Sequence, residues 1–519
     1  MSKEQERLGE QFKIDALKTA LERNKLGQFA TPPLLARQII NYALKKFDVA
    51  PLRFFDPAIG SGSFYSALVD EAGEREYSGF GTEIDKAFAD VSTRLWSEHG
   101  LKVSNADFTT VEPPKKEADK YNFLITNPPY VRHHHLTGED KLRLKEFSSK
   151  LLGIDVSGLA GLYCHFMFLA HEWMAQDGLG LWLIPSEFMD VNYGVAVKEY
   201  LAKHVELMHI HRYDPADLQF DDALVSSAIV VFRNRKPTSG HKAQFSYGGS
   251  LLEPRHSCDI DMKSLIKIRK WSSLPLSEQK EKTDGITLSD LLTVRRGIAT
   301  GSNEFFIMPL SKAEGMGISR EFLKPILPSP KNISNTTIES REDGYPAIDE
   351  PLALIDTDKS EEYIQENCPA LFDYLKTGEE NGLRNTYLIS KRKPWYKQEQ
   401  REACPFLCTY MGRSVNNKPF RFIWNKSQAI AANTYLLLYP TGKLKTALQK
   451  DFSLAEKVFN FLDNISVDDL LGEGRVYGGG LHKLEPAELG RVDASQLAIE
   501  LGIAMPQKSV QLSFEALTV

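Results

Sequence analysis

The stretch Phe54-Phe55-Asp56-Pro57-Ala58-Ile59-Gly60-Ser61-Gly62-Ser63-Phe64 continues a short apolar run and leads into a helical segment. Its glycines allow the backbone to approach a ligand closely, where a side chain would obstruct it. The stretch departs from the dinucleotide-binding fingerprint, because the third glycine is replaced and Asp56-Pro57 precedes the loop. A single Gly-x-Gly is equally compatible with a plain tight turn between a strand and a helix. The segments around it decide between the two interpretations.

Short apolar runs that end in polar or glycine-rich residues recur through the first half of the chain, separated by helical segments. They lie at residues 52–55, 77–82, 101–103, 123–126, 180–184, 205–210 and 227–232. This alternation predicts a doubly wound, Rossmann-like α/β sheet, whose ligands bind at the carboxyl ends of the strands. Upstream, the apolar spacing predicts helices at residues 4–23 and 33–46, the second opened by prolines.

The pattern changes after Phe232, where polar and then highly charged segments follow. From residue 286 the βα alternation is absent, and short aromatic strands, loops rich in Pro and Asn, and a helical stretch at 444–471 predict an α+β domain. We therefore predict an N-terminal helical segment at residues 1–30, a doubly wound domain at 31–245, a linker at 246–285 and a second domain at 286–519. A chain of 519 residues exceeds what one hydrophobic core usually organises, which agrees with two domains.

Bulk composition predicts a cytoplasmic globular protein. No apolar stretch approaches the ~20 residues that a membrane helix needs, and the N-terminus lacks the apolar core of a secretory signal. The five cysteines are scattered and odd in number, which indicates reduced thiols.

The net charge of −6 conceals a basic segment at residues 383–426, which holds ten basic residues against two acidic ones. The segment also carries eight aromatic residues: Tyr387, Trp395, Tyr396, Phe406, Tyr410, Phe420, Phe422 and Trp424. Interleaved basic and aromatic side chains suit a nucleic-acid-facing surface. The alternative is a solvated charged face over an aromatic core.

Polar side chains follow three successive strands of the predicted sheet. Asp56 ends the first, Glu83 ends the second, and Asp107-Phe108 follows the third. A carboxylate at the position of Glu83 can accept hydrogen bonds from both ribose hydroxyls of a nucleoside-like cofactor. Asp107 is placed to accept from an adenine amino group, and Phe108 to cover the ring. Together these residues predict one nucleoside pocket at the carboxyl edge.

The fourth strand delivers Asn127-Pro128-Pro129-Tyr130 to the same edge. The two prolines fix φ and remove two backbone donors, so a stiff loop of carbonyl acceptors lies beside the Asn127 side-chain oxygen. An exocyclic amine is a poor nucleophile while it is conjugated with its ring. Holding both of its hydrogens between Asn127 and the Pro128 carbonyl favours a tetrahedral, attacking nitrogen, with Tyr130 stacked on the base. The alternative is a rigid Pro-Pro turn that closes a strand.

Taken in order, Gln28-Phe29-Ala30-Thr31-Pro32, the Asp56–Gly62 loop, Glu83-Ile84-Asp85, Asp107-Phe108 and the Asn-Pro-Pro-Tyr loop resemble one family. That family is the gamma group of adenine-N6 DNA methyltransferases from restriction–modification systems, which are class I S-adenosylmethionine-dependent enzymes. Three further pieces resemble recurring parts of its C-terminal target-recognition domain: Arg296-Gly297-Ile298-Ala299-Thr300-Gly301, Thr409-Tyr410-Met411-Gly412-Arg413 and Asn433-Thr434-Tyr435.

The resemblance implies the cofactor S-adenosylmethionine and residue roles for it. The cofactor would be lined by Thr31, Asp56, Pro57, Ala58, Gly60, Glu83, Ile84, Asp107 and Phe108. The flipped adenine would be held by Asn127, Pro128, Pro129 and Tyr130. A second aromatic usually grips the other face of the base in this family, and Phe220 is the candidate, with a plain core residue as the alternative.

The implied reaction is direct in-line methyl transfer to N6 of an adenine flipped out of double-stranded DNA, with no metal and no covalent enzyme intermediate. The Pro-Cys loop of a cytosine-C5 enzyme is absent from the sequence. No carboxylate–lysine pattern of a fused nuclease is evident, so we expect any cleavage to belong to a separate cognate restriction endonuclease.

Two features leave alternatives open. His133-His134-His135 invites a metal site, but adjacent histidines converge on one ion with difficulty, so a DNA-facing loop is the expectation. An RNA or protein-glutamine methyltransferase uses a similar loop on the same fold but generally lacks so large a C-terminal region. A non-catalytic DNA-recognition subunit would have a spoiled loop, whereas this loop is intact.

Overall fold

The computed structural model describes residues 2–19, 22–23, 26–214, 217, 219, 226–275, 285–413, 418–477 and 481–503. The chain divides into two compact units. The first comprises Met1–Lys280 with Tyr477–Gly479, and the second comprises Glu281–Val476 with Gly480–Val519. Within the described ranges no helix is long and apolar enough to span a lipid bilayer.

The first unit is built on a nine-stranded sheet with the order β3-β2-β1-β4-β5-β7-β6-β8-β9. Its strands are β1 (Leu52–Asp56), β2 (Tyr77–Glu83), β3 (Leu101–Asn105), β4 (Tyr121–Thr126), β5 (Met174–Pro185), β6 (Glu206–Arg212), β7 (Ser227–Arg233), β8 (Lys242–Gly249) and β9 (Pro254–Asp261). Strands β1 to β5 are parallel, and β7 lies antiparallel between β5 and β6. The order reverses between β1 and β4, the switch point at which doubly wound sheets bind ligands.

Eight α-helices of the first unit lie in the described ranges: α1 (Lys3–Ala16), α2 (Pro33–Lys46), α3 (Ser63–Glu71), α4 (Lys86–Trp96), α5 (Gly138–Leu152), α6 (Leu162–Ala170), α7 (Val195–Glu199) and α8 (Met262–Lys267). Local chemistry sets their starts. Pro33 occupies the first turn of α2, where its missing N–H costs nothing, and the Asp85 carboxylate caps α4 by accepting from the Ala87 amide. The predicted doubly wound α/β fold is confirmed.

The first helix is shorter than the predicted 4–23, because it ends at Ala16. Beyond this end, Thr19 and Glu22 exchange hydrogen bonds in the manner of a capping box. The apolar period also misled the prediction, since Phe12 is 77% and Leu17 83% exposed whereas the charged Arg7 is buried.

The sheet continues past residue 245, where the sequence places the start of a linker. Strands β8 and β9 pair as an antiparallel hairpin, and β8 also pairs parallel with β6. Only one residue of the edge strand β9 is fully buried, so the strand lacks the apolar alternation by which strands are recognised. Much of the predicted linker at 246–285 is therefore strand and helix of the first unit.

In its described residues the second unit has three sheets, ordered β10-β18-β15-β17-β13, β11-β14-β12 and β16-β20-β19. Its strands are β10 (Leu292–Arg296), β11 (Ile307–Pro309), β12 (Leu323–Ile326), β13 (Thr337–Ile338), β14 (Leu352–Ile355), β15 (Phe406–Thr409), β16 (Met411–Arg413), β17 (Phe422–Asn425), β18 (Tyr435–Pro440), β19 (Arg475–Tyr477) and β20 (Leu481–Lys483). Its described α-helices are α9 (Leu288–Leu291), α10 (Asn303–Phe306), α11 (Leu310–Gly315), α12 (Glu361–Asn367), α13 (Pro369–Glu380), α14 (Gly442–Lys450), α15 (Leu454–Asp463), α16 (Val467–Glu473), α17 (Pro486–Leu489) and α18 (Ser495–Glu500). This α+β character agrees with the prediction.

Most aromatic side chains of the basic segment at 383–426 form the core of the second unit. Six are buried: Trp395, Tyr396, Phe406, Tyr410, Phe420 and Phe422. Of the other two, Trp424 is partly buried and Tyr387 is 74% exposed, with the Lys391 ammonium 3.8 Å from the centre of its ring. For these six residues the structure matches the alternative of a charged face over an aromatic core.

Candidate functional site

A cavity of about 500 Å³ lies at the carboxyl ends of β1 to β4. All nine residues predicted for the cofactor line it: Thr31, Asp56, Pro57, Ala58, Gly60, Glu83, Ile84, Asp107 and Phe108. From the predicted catalytic loop, Asn127 and Pro129 also line the cavity. Pro128 and Tyr130 are buried beside it rather than in its wall. Phe220 lies outside the described residues.

The glycine loop after β1 is shaped by two left-handed residues, Gly60 (φ 55°) and Gly62 (φ 85°). A Cβ on Gly62 would lie 2.5 Å from Trp96 Nε1, so only glycine fits there without displacement. That indole nitrogen donates to the Ser61 carbonyl at 3.1 Å and holds the loop against α4. A Cβ on Gly60 would meet no atom within 4 Å, which leaves this part of the loop open to the cavity.

Asp56 is a buried carboxyl group at the end of β1. Its Oδ1 accepts from the Thr126 hydroxyl at 2.6 Å and from the Ala58 amide at 2.9 Å. Burial raises the pKa of Asp56 to about 7, against the lowering effect of these two hydrogen bonds, and the nearby charge of Glu83 raises it further. Asp56 therefore changes its charge near neutral pH, where an arriving cation would favour the carboxylate.

Glu83 ends β2 and faces the glycine loop. Its Oε2 accepts from the Gly60 amide at 2.9 Å, and its Oε1 accepts from the Asp85 amide at 2.8 Å. Each carboxylate oxygen keeps a second lone pair, so the group can accept a pair of neighbouring hydroxyls. Burial raises the pKa of Glu83 despite these backbone hydrogen bonds.

Asp107 and Phe108 form the far end of the cavity with helix α5. The Asp107 Oδ1 accepts from the amide and hydroxyl of Thr109, both at 2.9 Å, and its Oδ2 has no hydrogen bond from any described residue. Phe108 is buried with its ring centre 5.0 Å from that of Phe166. Arg143 of α5 donates to the Thr109 carbonyl at 3.0 Å and lines the same end. A flat, hydrogen-bonding ring would find an acceptor and apolar walls here.

Asn127 follows β4, and residues far upstream fix its amide. Its Nδ2 donates to the Phe29 carbonyl at 2.9 Å and to the Thr31 hydroxyl at 3.1 Å. Because the Phe29 carbonyl can only accept, the nitrogen must point toward it. The Oδ1 is thereby turned away, and it accepts no hydrogen bond from the residues that the structure describes.

Tyr130 and Gly27 connect the Asn-Pro-Pro-Tyr loop to the upstream segment at residues 27–31. The Tyr130 amide donates to the Gly27 carbonyl at 3.3 Å, and a Cβ on Gly27 would lie 2.6 Å from the Tyr130 nitrogen. The Tyr130 hydroxyl donates to the Leu183 carbonyl of β5 at 3.0 Å, which fixes the ring. Only 8% of the side chain is exposed, so stacking by Tyr130 would use a small part of its surface.

Several cavity residues were not anticipated from the sequence. Gln11 and Asp15 reach the cavity from α1, and Arg143 and Phe166 reach it from α5 and α6. Helices carry no strand-end signal, so sequence spacing could not have placed these side chains at the sheet edge. His135 also lines the cavity, and in the described parts of the chain no cluster of three or more metal-ligand side chains occurs.

Two family models match the chain. The model described as "Eco57I restriction-modification methylase" matches residues 67–218, and that described as "Type II methyltransferase M.Eco57I, C-terminal domain" matches residues 267–511. The Type II methyltransferase M.AccI of Acinetobacter calcoaceticus is 26% identical over 508 residues, covering 94% of this chain and 88% of its own. M.XamI of Xanthomonas campestris pv. amaranthicola is 28% identical over 477 residues, covering 90% and 85%.

Among solved structures, the Type IIL restriction–modification enzyme MmeI in complex with DNA is similar with a TM-score of 0.55 and 15% identity. The match covers 89% of this chain and 63% of that one, and at this identity it speaks for the fold. The family models and the curated relatives confirm the relationship to restriction–modification methyltransferases that the sequence motifs predict.

Proposed function

We propose that this restriction–modification methyltransferase transfers a methyl group from S-adenosylmethionine to the exocyclic N6 of adenine in double-stranded DNA. The orientation of Asn127 carries the proposal. Both of its N–H groups are used by Phe29 and Thr31, so its Oδ1 remains for a substrate amine at the wall of the cavity. A methyl acceptor that bears two N–H hydrogens matches this arrangement.

The cavity fits S-adenosylmethionine in size and in chemistry. Its volume of about 500 Å³ lies within the usual range of small-molecule sites. Glu83 has acceptor capacity for the ribose hydroxyls, Asp107 Oδ2 for the adenine amino group, and Asp56 offers a negative charge to the cationic methionine part. When bound, the cofactor supplies a methyl group on a positively charged sulfonium.

The catalytic loop prepares the nucleophile. Asn127 Oδ1 and the Pro128 carbonyl accept the two hydrogens of N6, which turns the nitrogen lone pair out of conjugation with the ring. Pro128 and Pro129 have fixed φ and no N–H, so the loop presents acceptors only and keeps its shape. With the cofactor bound, N6 would take its methyl group as the bond from that methyl to sulfur breaks, and N6 would then release one proton to solvent. Accurate positioning contributes most of the acceleration.

Adenine reaches this loop only after it leaves the DNA stack, which costs a few kcal/mol. We assign Tyr130 to stacking on the flipped base, with its plane fixed by the hydroxyl bond to Leu183. Phe220 is the candidate for the opposite face of the base, as the family resemblance implies.

We assign DNA recognition to the second unit. In support, residues 267–511 match the C-terminal domain of a Type II methyltransferase. The exposed Tyr387 with Lys391 over its ring offers a stacking surface beside a positive charge, which suits a nucleic acid. The relatives belong to restriction–modification systems, and we propose a separate cognate restriction endonuclease as the functional partner.

The test is methyl transfer from tritiated S-adenosylmethionine to plasmid DNA, with bulk tRNA and protein as competing acceptors. We expect label in DNA, and sequencing sensitive to N6-methyladenine should place it at one recognition site. Label confined to tRNA or protein would overturn the choice of polymer, and label at another atom would overturn N6.

The variant Asn127→Ala tests the catalytic loop. Loss of one oriented acceptor should lower the rate of methyl transfer by about 10² to 10³-fold. Asn41→Ala on α2 is the matched control, because the Asn41 side chain donates to Glu71 at 3.4 Å and does not line the cavity. Equal rates in the two variants would remove Asn127 from the mechanism.

A further inference from the structure

Helix α1 is held to the first unit by polar rather than apolar contacts. Of its large apolar side chains only Ile14 is buried, whereas Leu8 and Phe12 are exposed. The buried anchor is Arg7, at 1% exposure, whose guanidinium donates twice to Glu4, at 2.6 and 2.7 Å. A buried ion pair stabilises a fold no better than well-packed apolar residues of similar size. The Arg7–Glu4 ion pair is therefore better explained by a need to hold α1 in a defined position than by stability.

The anchor connects directly to the glycine loop and ends in the cavity. Arg7 donates to the Ser61 hydroxyl at 2.8 Å, and that hydroxyl donates to Gln11 Oε1 at 2.5 Å. Gln11 Nε2 in turn donates to Asp15 Oδ2 at 2.8 Å. Gln11 and Asp15 both line the cavity, and they are its only lining residues from α1.

Asp15 has unused capacity at the end of this chain of bonds. Its Oδ2 accepts from Gln11, whereas its Oδ1 accepts no hydrogen bond from the described residues. Of the two nearest lysines along the chain, Lys13 pairs with Glu10, and Lys18 is engaged by Asp85 and Gln28. A carboxylate oxygen that is oriented and unpaired at a cavity wall can accept a hydrogen bond from a ligand.

We propose that α1 is part of the cofactor site, with Asp15 accepting from a charged or hydroxyl donor on the ribosyl–methionine part of the cofactor. Gln11 orients that carboxylate. Arg7 is a positioning residue that ties α1 to the glycine loop through Ser61. The proposal rests on the function proposed above, because it takes the cavity to bind S-adenosylmethionine.

The test is equilibrium binding of S-adenosylhomocysteine to the full-length protein by calorimetry. Asp15→Asn should weaken binding by about 10- to 100-fold, the usual effect of losing a charge-assisted hydrogen bond. Glu10→Gln is the matched control, since it makes the same chemical change on the same helix at a residue that pairs with Lys13 outside the cavity. Its affinity should equal that of the wild type.

A second ligand, 5′-methylthioadenosine, identifies the donor because it keeps the ribose and lacks the amino acid. If Asp15→Asn weakens only S-adenosylhomocysteine, the donor is the α-ammonium group. If it weakens both ligands, the donor is a ribose hydroxyl. Unchanged affinity for both, while the wild type binds, would overturn the proposal. Failure of the wild type itself to bind would instead count against the proposed function.

Arg7→Lys tests the positioning role, because lysine keeps the charge but loses the two-pronged contact with Glu4. We expect weaker S-adenosylhomocysteine binding, and slower hydrogen exchange of α1 on ligand addition in the wild type only. A lower melting temperature with unchanged affinity would reduce Arg7 to a structural role.

Discussion

Cofactor affinity should depend on pH through Asp56. The pKa of this buried carboxyl lies near 7 in the ligand-free protein, so the group is largely neutral at pH 6 and largely ionised at pH 8. A cationic ligand selects the ionised form. If only that form binds, apparent affinity is reduced by the fraction ionised, and it should be about tenfold weaker at pH 6 than at pH 8.

Titration calorimetry in buffers of different ionisation enthalpy would measure both the affinity and the protons released on binding. The α-amino group of S-adenosylmethionine also titrates, at about 8, so the protons that it releases must be separated from those released by Asp56. Asp56→Asn isolates it, because that variant keeps the ligand's titration and loses the one near 7. Thr126→Val removes a hydrogen bond that lowers the pKa of Asp56, and it should move the midpoint upward.

The same pKa has the opposite consequence for folding. Because the folded state holds the Asp56 proton more tightly than the unfolded chain, this group favours folding at low pH, and its contribution is lost as pH rises through 7. Cofactor should therefore raise the melting temperature more at pH 8 than at pH 6. Affinity that is flat across this range in the wild type, or equally pH-dependent in Asp56→Asn, would refute the reasoning.

Four further substitutions have defined outcomes. Thr31→Val removes one acceptor from the Asn127 amide, and we expect a roughly tenfold lower kcat; a kcat equal to that of the wild type would contradict this. Gly62→Ala should lower the free energy of unfolding by about 2 kcal/mol or more, through the left-handed backbone and the contact with the Trp96 ring, whereas Gly60→Ala should cost about 1 kcal/mol. Denaturant unfolding that ranks the two glycines equally would count against the steric argument. Tyr130→Phe should lower the free energy of unfolding by about 1 kcal/mol and retain methyl transfer, because the ring remains. Loss of methyl transfer in this variant would show that the hydroxyl takes part in catalysis.

The sequence predicted the sheet and the residues at its carboxyl edge because parallel strands bring their ends together. Asp56, Glu83 and Asp107 are far apart in the chain, yet strand pairing alone places them around one cavity. The C-terminal boundary of the first unit was harder to predict from the sequence, because the edge strand β9 has one fully buried residue and carries no apolar pattern.

Helix α1 was misread for a related reason. Its apolar residues suggested packing, whereas the structure buries Arg7 and leaves Phe12 in solvent. A buried charge network has no periodic signature, so neither the anchor nor the cavity contacts of Gln11 and Asp15 were visible in the sequence. In the basic segment, the sequence suggested an aromatic surface, whereas the structure buries six of the aromatic residues. Composition alone does not say which side chains face solvent.

The hydrogen bonds from Asn127 to Phe29 and Thr31 limit where the protein can be truncated or split. The Asn127 side-chain oxygen, to which we assign the substrate amine, is oriented by a segment almost 100 residues upstream in the chain. Deleting that segment removes no strand of the sheet but would free the amide to rotate by half a turn, presenting hydrogens where the proposed substrate amine needs an acceptor. Truncated or split versions must therefore retain residues 27–31. A fragment that folds without them should present the amide hydrogens of Asn127, instead of its oxygen, to the substrate amine.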